Sequence, residues 1–323
     1  MDYREDIKEL MSACIGCRKC TRVCPSLRHG GCDPMDVMQG GDRWQGCIGC
    51  GNCSQVCRFT DPMKVMMYMS AVRGGTKIPA HFEETGYNLP TYSGDQPKPV
   101  YTGKDVALMP GCIINARYPY LESAGIKALG VIGLTCERYE GGCCTFPVPY
   151  RTLTDGERDD IKKRCTEGYG RIVTLCDGCS DQLRQSGADA RHIYELLYEN
   201  LDKIRSLPGV DGLKVAIQPG CHLVPELPEF RAIAEACGAE VLDVEPGCCG
   251  KYVKGINTKL MAERQESMRG ADAAVVACPA CFMYYDNYEG GIPVLHISEL
   301  VALAAGDRSG LKYHTRLPDR LKQ

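Results

Sequence analysis

Cysteine constrains this chain more than any other residue type, because 22 of its 323 residues are cysteine. The chain is far longer than the small secreted domains in which dense cysteines form disulfides. Its first residues, MDYREDIKEL, are charged and lack the apolar stretch of a signal peptide. We therefore expect a cytoplasmic protein whose reduced thiols serve in metal binding or redox catalysis.

The remaining composition is that of a soluble globular protein. Hydrophobic residues make up 44% of the chain, and the formal net charge is −3 with both signs interspersed. No basic region indicates a nucleic-acid partner, and no apolar run reaches the roughly 18 residues that a membrane helix needs. The sequence therefore predicts no transmembrane segment, and any membrane association would be peripheral, at the inner face and through a partner.

Changes in composition and periodicity along the chain divide it into a helical part and an α/β part. Residues 1–85 hold nine cysteines and several helical patterns, whereas residues 86–104 are rich in Pro, Gly and polar residues and predict a linker. From residue 105 to residue 306, short apolar runs alternate with helical patterns, which predicts α/β units with a parallel or mixed sheet. Residues 307–323 form a tail.

The α/β part is a duplicated unit, with repeats at about residues 105–200 and 213–305. Four landmarks recur in the same order: Pro-Gly-Cys, Gly-Cys-Cys, Cys-x-x-Cys and His-Ile-x-Glu-Leu. They begin at Pro110, Gly142, Cys176 and His192 in the first repeat and at Pro219, Gly247, Cys278 and His296 in the second. The matched histidines indicate a shared packing or capping role. The expected fold class is α+β or α/β, with a mostly helical N-terminal domain followed by a duplicated α/β domain.

The N-terminal part carries two cysteine motifs with the spacing of bacterial two-cluster ferredoxins. The motif Cys-x-x-Cys-x-x-Cys-x-x-x-Cys-Pro begins at Cys14 and recurs, without the proline, at Cys47. Three closely spaced thiolates can wrap one face of a cubane, and the fourth cysteine serves the other cluster. We expect two 4Fe–4S cubanes, one held by Cys14, Cys17, Cys20 and Cys57 and the other by Cys24, Cys47, Cys50 and Cys53. Two zinc sites are the alternative, but zinc favours separated Cys-x-x-Cys pairs.

Each repeat of the α/β part supplies five further cysteines. They are Cys112, Cys143, Cys144, Cys176 and Cys179 in the first repeat and Cys221, Cys248, Cys249, Cys278 and Cys281 in the second. We call these sets the first pentad and the second pentad. A zinc ion or a cubane takes four protein ligands, so a fifth thiolate predicts a bridging ligand or an unusual cluster.

The duplicated pattern resembles that of the CCG-domain proteins, best known from the B subunit of heterodisulfide reductase. The ferredoxin-type section is similar to the C subunit of that enzyme, and a chain that joins both over about residues 8–302 resembles its D subunit. The resemblance implies that the pentad cysteines are catalytic and hold one or two noncubane 4Fe–4S clusters. It also implies that a small-molecule disulfide, such as that of coenzyme M and coenzyme B, is cleaved between them.

By the same resemblance, the chain is an oxidoreductase subunit whose cubanes take electrons from a partner. The donor is expected to be a flavoprotein, a subunit linked to hydrogenase or formate dehydrogenase, or a membrane cytochrome. An electron relay between a dehydrogenase and a quinone is the alternative, and a cavity between the pentads discriminates the two. A scaffold whose pentads hold zinc or nothing is a third reading. Thr145, which follows Cys144, leaves open a cubane with a spare cysteine in the first repeat.

The last candidates lie outside the metal motifs. His222 directly follows Cys221 and would either donate a proton to a leaving thiolate or bond to backbone in a tight loop. Cys32 is expected to be an ordinary thiol, and Cys136 and Cys237 are expected to be buried structural thiols.

Overall fold

A computed structural model describes residues 3–74, 80–144, 160, 163–223, 226–250 and 254–321. Helices make up the regular structure of the N-terminal part. They are α1 (Tyr3–Ser12), α2 (Lys19–Arg22), α3 (Pro25–Arg28), α4 (Pro34–Met38), α5 (Asn52–Gln55), α6 (Pro62–Gly74) and α7 (Ala80–Thr85). Helices α1 and α6 pack together through the buried side chains of Ile7, Val65 and Met66. This small apolar core supports the loops that carry the ferredoxin-type cysteines.

Two four-stranded parallel sheets form the C-terminal part, one in each repeat. The first has the order β2-β1-β3-β4 and the second the order β6-β5-β7-β8. The strands are β1 (Val106–Met109), β2 (Cys136–Arg138), β3 (Ile172–Thr174), β4 (Ala190–His192), β5 (Lys214–Gln218), β6 (Glu240–Val241), β7 (Ala273–Val276) and β8 (Val294–His296). In the registers, Ala107 lies opposite Ile172 and Val215 lies opposite Ala273. The identical strand orders confirm the predicted duplication and fold class.

Helices join and cover the sheets. They are α8 (Cys112–Arg117), α9 (Pro119–Val131), α10 (Asp177–Gln185), α11 (Ile193–Tyr198), α12 (Leu201–Arg205), α13 (Leu227–Ala236), α14 (Ile256–Ser267), α15 (Pro279–Asp286) and α16 (Ile297–Ala304). Helices α9 and α16 pack against each other, so one apolar core extends across both repeats. Every described helix is too short or too polar to cross a bilayer.

The segment 86–104 contains neither helix nor strand, but it is bound to the first repeat. The Tyr92 N–H donates to the carbonyl of Asn115 at 3.0 Å, and the N–H groups of Thr102 and Gly103 both donate to the carbonyl of Cys136. A segment without regular structure can therefore help to build the wall of a site. The predicted domain boundaries themselves stay predictions.

Two buried histidines join the repeats by reciprocal hydrogen bonds. Nε2 of His192 lies 3.2 Å from the carbonyl oxygen of Ala277, and Nε2 of His296 lies 3.1 Å from that of Leu175. Each carbonyl belongs to the residue directly before the Cys-x-x-Cys motif of the other repeat. Nδ1 of each ring accepts the N–H two residues further on and caps a helix, so Nε2 carries the proton. Burial lowers the pKa of His192 to about 3 and that of His296 to about 4.

Candidate metal centres

The pentad cysteines lie beyond the carboxyl ends of the parallel strands. In each repeat a single cysteine follows the first strand, the Cys-Cys pair follows the second, and the Cys-x-x-Cys motif follows the third. In open sheets of this kind, ligands bind outside the carboxyl ends where the strand order reverses. That point lies between β1 and β3 in one sheet and between β5 and β7 in the other. The topology therefore brings together thiols that are far apart in the sequence.

All ten pentad cysteines line one cavity of about 550 Å³ between the two repeats. The ferredoxin-type part contributes Trp44, Ile48 and Met67 to its wall, and the segment before β1 contributes Asn88 and Leu89. Any clusters held by the pentads would occupy part of this volume. The total lies within the range of about 300–1,000 Å³ that is typical of ligand pockets.

The thiols of the first pentad form hydrogen bonds with one another. Hydrogen bonds with Cys143 and Cys179 lower the pKa of Cys144 to about 7. A hydrogen bond with Cys143, together with burial, raises the pKa of Cys112 well above its usual range. A thiol with a pKa near 7 is about half in the thiolate form at neutral pH, and the thiolate is the form that binds metals. The sulfurs are thus close enough to share one metal assembly.

The second pentad is equally compact. Sγ of Cys281 lies 3.5 Å from Sγ of Cys249, and the N–H of Gly250 donates to Sγ of Cys248 at 3.3 Å. Gly250 has a φ of 71°, a left-handed conformation that turns its N–H toward the sulfur. Such an N–H···S bond stabilises a thiolate, whereas hydrogen bonds with Cys221, Cys249 and Cys50 raise the pKa of Cys248 well above its usual range.

Glycine is required where each Pro-Gly-Cys turn passes the Cys-x-x-Cys motif. Gly111 and Gly220 have φ values of 82° and 128°. A Cβ atom at Gly111 would lie 3.3 Å from Sγ of Cys179, and one at Gly220 would lie 2.6 Å from Oδ2 of Asp177. Both the backbone conformation and the close approach therefore exclude larger residues.

The ferredoxin-type cysteines fall into the two crossed groups that the spacing predicts. One small cavity is lined by Cys14, Cys17, Cys20 and Cys57, and another by Cys24, Cys47, Cys50 and Cys53. In the second group the N–H of Gly49 donates to Sγ of Cys47 at 3.4 Å. Four thiols around a small cavity, with backbone N–H groups aimed at sulfur, are a donor set that fits a cubane. The assignment of these cysteines as ligands stays a prediction.

Left-handed residues at matched positions bend both ferredoxin-type loops. They are Gly16 and Arg18 in the first loop and Gly49 and Gly51 in the second. Arg18 is the only non-glycine residue with a positive φ in the part of the chain that the structure describes.

We expect the substitution Arg18→Gly to raise the free energy of unfolding by about 0.5–1 kcal/mol. A side chain in the left-handed region costs roughly 1–2 kcal/mol, and the greater unfolded-state entropy of glycine removes part of the gain. Anaerobic urea denaturation measures the effect. The control is Arg22→Gly in helix α2, which should destabilise by about 1 kcal/mol. A loss of stability in both variants would contradict the argument.

Cys32 lies at the second ferredoxin-type group, which the sequence did not reveal. It lines the same cavity as Cys47, is 1% exposed, and its Sγ lies 2.7 Å from Sδ of Met66. A hydrogen bond with Cys47 raises the pKa of Cys32 far above its usual range, so the thiol stays protonated and donates to Cys47. No spacing rule connects Cys32 to either motif, so only tertiary structure could place it here.

The second ferredoxin-type group is in contact with the second pentad. A hydrogen bond with Cys248 lowers the pKa of Cys50, so a thiol of one group meets a thiol of the other. Nε2 of Gln55 donates to the carbonyl of Cys221 at 3.0 Å. Leu260 of the second repeat packs with Cys50 in a small apolar cluster. The helical part therefore meets the α/β part at the second repeat's cysteines.

The remaining candidates are the cysteines outside the metal motifs, His222 and Thr145. Cys136 and Cys237 are fully buried and belong to the core across both repeats, as expected for structural thiols. Cys165 is also buried, and its Sγ lies 2.6 Å from the carbonyl oxygen of Cys143. The side chain of His222 and the whole of Thr145 lie outside the described residues, so the readings proposed for both stay predictions.

Comparison with known proteins gives two family matches and several relatives. A 4Fe-4S dicluster domain matches residues 6–58, and a cysteine-rich domain matches residues 106–184 and 215–285. The chain is 30% identical to a protein of Archaeoglobus profundus that is named as similar to the B subunit of heterodisulfide reductase, over 61% of this chain and 89% of that protein. It is 28% identical to the B subunit of the ferredoxin/F(420)H(2)-dependent CoB-CoM heterodisulfide reductase of Methanosarcina acetivorans, over 62% and 89%. It is 27% identical to the 8-methylmenaquinol:fumarate reductase membrane anchor subunit of Wolinella succinogenes, over 63% and 93%.

Proposed function

Because the chain belongs to the family of heterodisulfide reductase B subunits and joins a 4Fe-4S dicluster domain to its cysteine-rich repeats, we propose that it reduces a disulfide within a multi-subunit complex. Two electrons and two protons convert one disulfide into two thiols. The electrons come from a partner protein, through the ferredoxin-type part. Coenzyme M and coenzyme B form the disulfide named for the relatives of Methanosarcina acetivorans, and it is the first candidate here.

The cavity between the pentads is the observation that carries this proposal. All ten pentad cysteines face the same space, and the repeats leave about 550 Å³ there. A protein that only passes electrons needs room for its carriers but no further room for a small molecule between them. A cavity at the meeting point of both pentads supports binding of a small molecule between them.

The cysteines of this chain would hold the cofactors in a defined order. The ferredoxin-type groups fit two cubanes, and the compact pentads fit one or two noncubane clusters. When bound, these clusters supply one-electron transfer and iron atoms that can accept thiolates. The contact between Cys50 and Cys248 supports the second pentad as the entry point for electrons from the ferredoxin-type part.

Charged residues in the cavity wall favour particular substrates. Among its described residues, Arg117 is the only permanently charged cation, and Asp177 is the only carboxylate. Asp177 is buried beside Cys176, whereas Arg117 is exposed. A disulfide with an anionic group could pair with the guanidinium of Arg117 while its sulfur atoms lie among the cysteines.

A second candidate function is an electron relay to or from a quinone, with no disulfide substrate. The similarity to the Wolinella succinogenes protein, of which the chain covers 93%, favours this reading, because the name of that protein specifies a quinol and fumarate. A membrane protein would then be the partner.

Iron and sulfide content, with EPR spectroscopy, tests the two functions. We expect about sixteen irons per anaerobically purified chain if both pentads hold clusters, or about twelve if one does, and a paramagnetic signal that arises under oxidising conditions only when a thiol such as coenzyme M is added. The S-methyl derivative of coenzyme M, which has no thiol, is the control and should give no signal. Sixteen irons without the thiol-dependent signal would favour the relay. About eight irons would leave only the dicluster domain loaded.

A further inference from the structure

The two pentads differ in the side chains that surround them. Before Pro-Gly-Cys the first repeat has Met109, whereas the second has Gln218. Four residues after the last pentad cysteine the first repeat has Leu183, whereas the second has Tyr285. All four side chains are buried, none more than 3% exposed. Two apolar residues at the first pentad thus correspond to two hydrogen-bond donors at the second.

The amide of Gln218 has a defined orientation. Its Oε1 accepts the N–H of Gly247 at 3.1 Å, and Gly247 directly precedes Cys248. Because only the amide oxygen can accept that bond, Nε2 is the free end of the group. Nε2 is buried and has no hydrogen-bond partner among the described residues.

Tyr285 supplies the second donor. It follows Cys281 by four residues on helix α15, so both side chains lie on the same face of the helix. Burial, with further contributions from Cys281, Cys249 and Cys248, raises the pKa of Tyr285 well above its usual range. Its hydroxyl is buried and also lacks a partner within the described part of the chain. Buried donors are almost always paired in folded proteins.

This inference rests on the proposed function, in which the pentads hold clusters. We propose that Nε2 of Gln218 and the hydroxyl of Tyr285 donate hydrogen bonds to the cluster of the second pentad and raise its reduction potential above that of the first. Donors near the sulfurs favour the reduced cluster, because reduction makes it more negative. The buried hydroxyls of Tyr139, Thr174 and Ser180 near the first pentad are already used, because they donate to the carbonyls of Cys165, Cys176 and Asp177.

This difference assigns separate roles to the two halves of the site. The second pentad adjoins Cys50, so a cluster held there would be the first to receive an electron, and its higher potential would retain that electron. The cavity places the first pentad across from it, so one end of the disulfide faces each cluster. Gln218 and Tyr285 are positioning residues, because they act on the substrate only through the cluster.

The test uses Tyr285→Phe and Gln218→Met, which give the second repeat the apolar character of the first. Anaerobic redox titration followed by EPR measures the midpoint potential of each cluster in the whole chain. We expect each variant to shift the reduction equilibrium of one noncubane cluster about tenfold toward the oxidised form, which is about 59 mV for one electron. The other clusters should keep their midpoints.

Tyr120→Phe is the matched control, because it removes another buried hydroxyl that has no partner among the described residues. Burial, with further contributions from Glu299, Asp286 and Tyr118, raises the pKa of Tyr120, and no cysteine contributes to the shift. Unchanged midpoints in both test variants at full iron content would overturn the inference, as would an equal shift in the control. If one test variant loses iron, the other decides. A wild-type chain with about eight irons would instead refute the proposed function.

Discussion

Replacement of Cys248 by serine is expected to lower disulfide reduction by more than about 100-fold, because changes even outside the ligand set of a metal site cost about 10–100-fold. Cys248 belongs to the second pentad and is also the thiol that contacts Cys50. The substitution therefore removes a predicted ligand and disturbs the junction with the ferredoxin-type part. Thiol release from a disulfide, with reduced viologen as electron donor, measures the loss.

Two further variants separate these effects. Cys143→Ser changes the equivalent cysteine of the first pentad, which is not among the groups that shift the pKa of Cys50. Cys237→Ala changes a buried cysteine outside the site. Cys237→Ala should retain activity, whereas both pentad variants should lose it. Rapid-freeze EPR measures, in each pentad variant, how fast the cluster of the unchanged pentad is reduced. Only Cys248→Ser should slow this reduction. Reduction at the wild-type rate in that variant would contradict entry through the second pentad.

Acidification from pH 6.5 to pH 4 is expected to destabilise the fold by about 3 kcal/mol for each of His192 and His296. Burial lowers their folded-state pKa values to about 3 and 4, below the value near 6.5 of an unfolded chain. Below pH 6.5 the unfolded chain binds more protons, so stability is complete above that pH and is lost as the pH falls toward the folded values. Each histidine contributes a slope of about 1.4 kcal/mol per pH unit.

Urea denaturation across this pH range measures the effect, with His192→Asn as the comparison. Asparagine can still cap helix α11 but gains no proton. The variant should therefore show a slope smaller by about 1.4 kcal/mol per pH unit. Comparing the slopes of the two proteins cancels acid effects on the clusters, which both share. Equal slopes would mean that His192 does not titrate with unfolding.

The sequence predicted the duplicated fold from four landmarks that recur in the same order, and the structure adds the physical reason why the cysteines converge. Motifs that follow successive strands of a parallel sheet reach the same edge, so a repeated order of cysteines predicts two matching sites. The ferredoxin spacing likewise predicted that Cys57 joins the group of Cys14, because the fourth cysteine of such a motif serves the other cluster.

Features that depend on packing between distant segments could not be predicted. The position of Cys32 beside Cys47, and the contact of Cys50 with Cys248, arise where surfaces without any periodic signal meet. Gln218 and Tyr285 are visible in an alignment of the two repeats, but only their burial and lack of partners in the described structure distinguish them from surface polar residues.

The reciprocal histidine bonds also bear on how such a chain arose. His192 meets the backbone of the second repeat just as His296 meets that of the first, which is the contact pattern of an isologous interface between identical subunits. A single repeat would expose a histidine and a carbonyl that a second copy of the same surface could satisfy. The two repeats are thus arranged like the subunits of a dimer around a shared central site, which is the arrangement that duplication of one unit produces, and they differ at positions such as Met109 and Gln218.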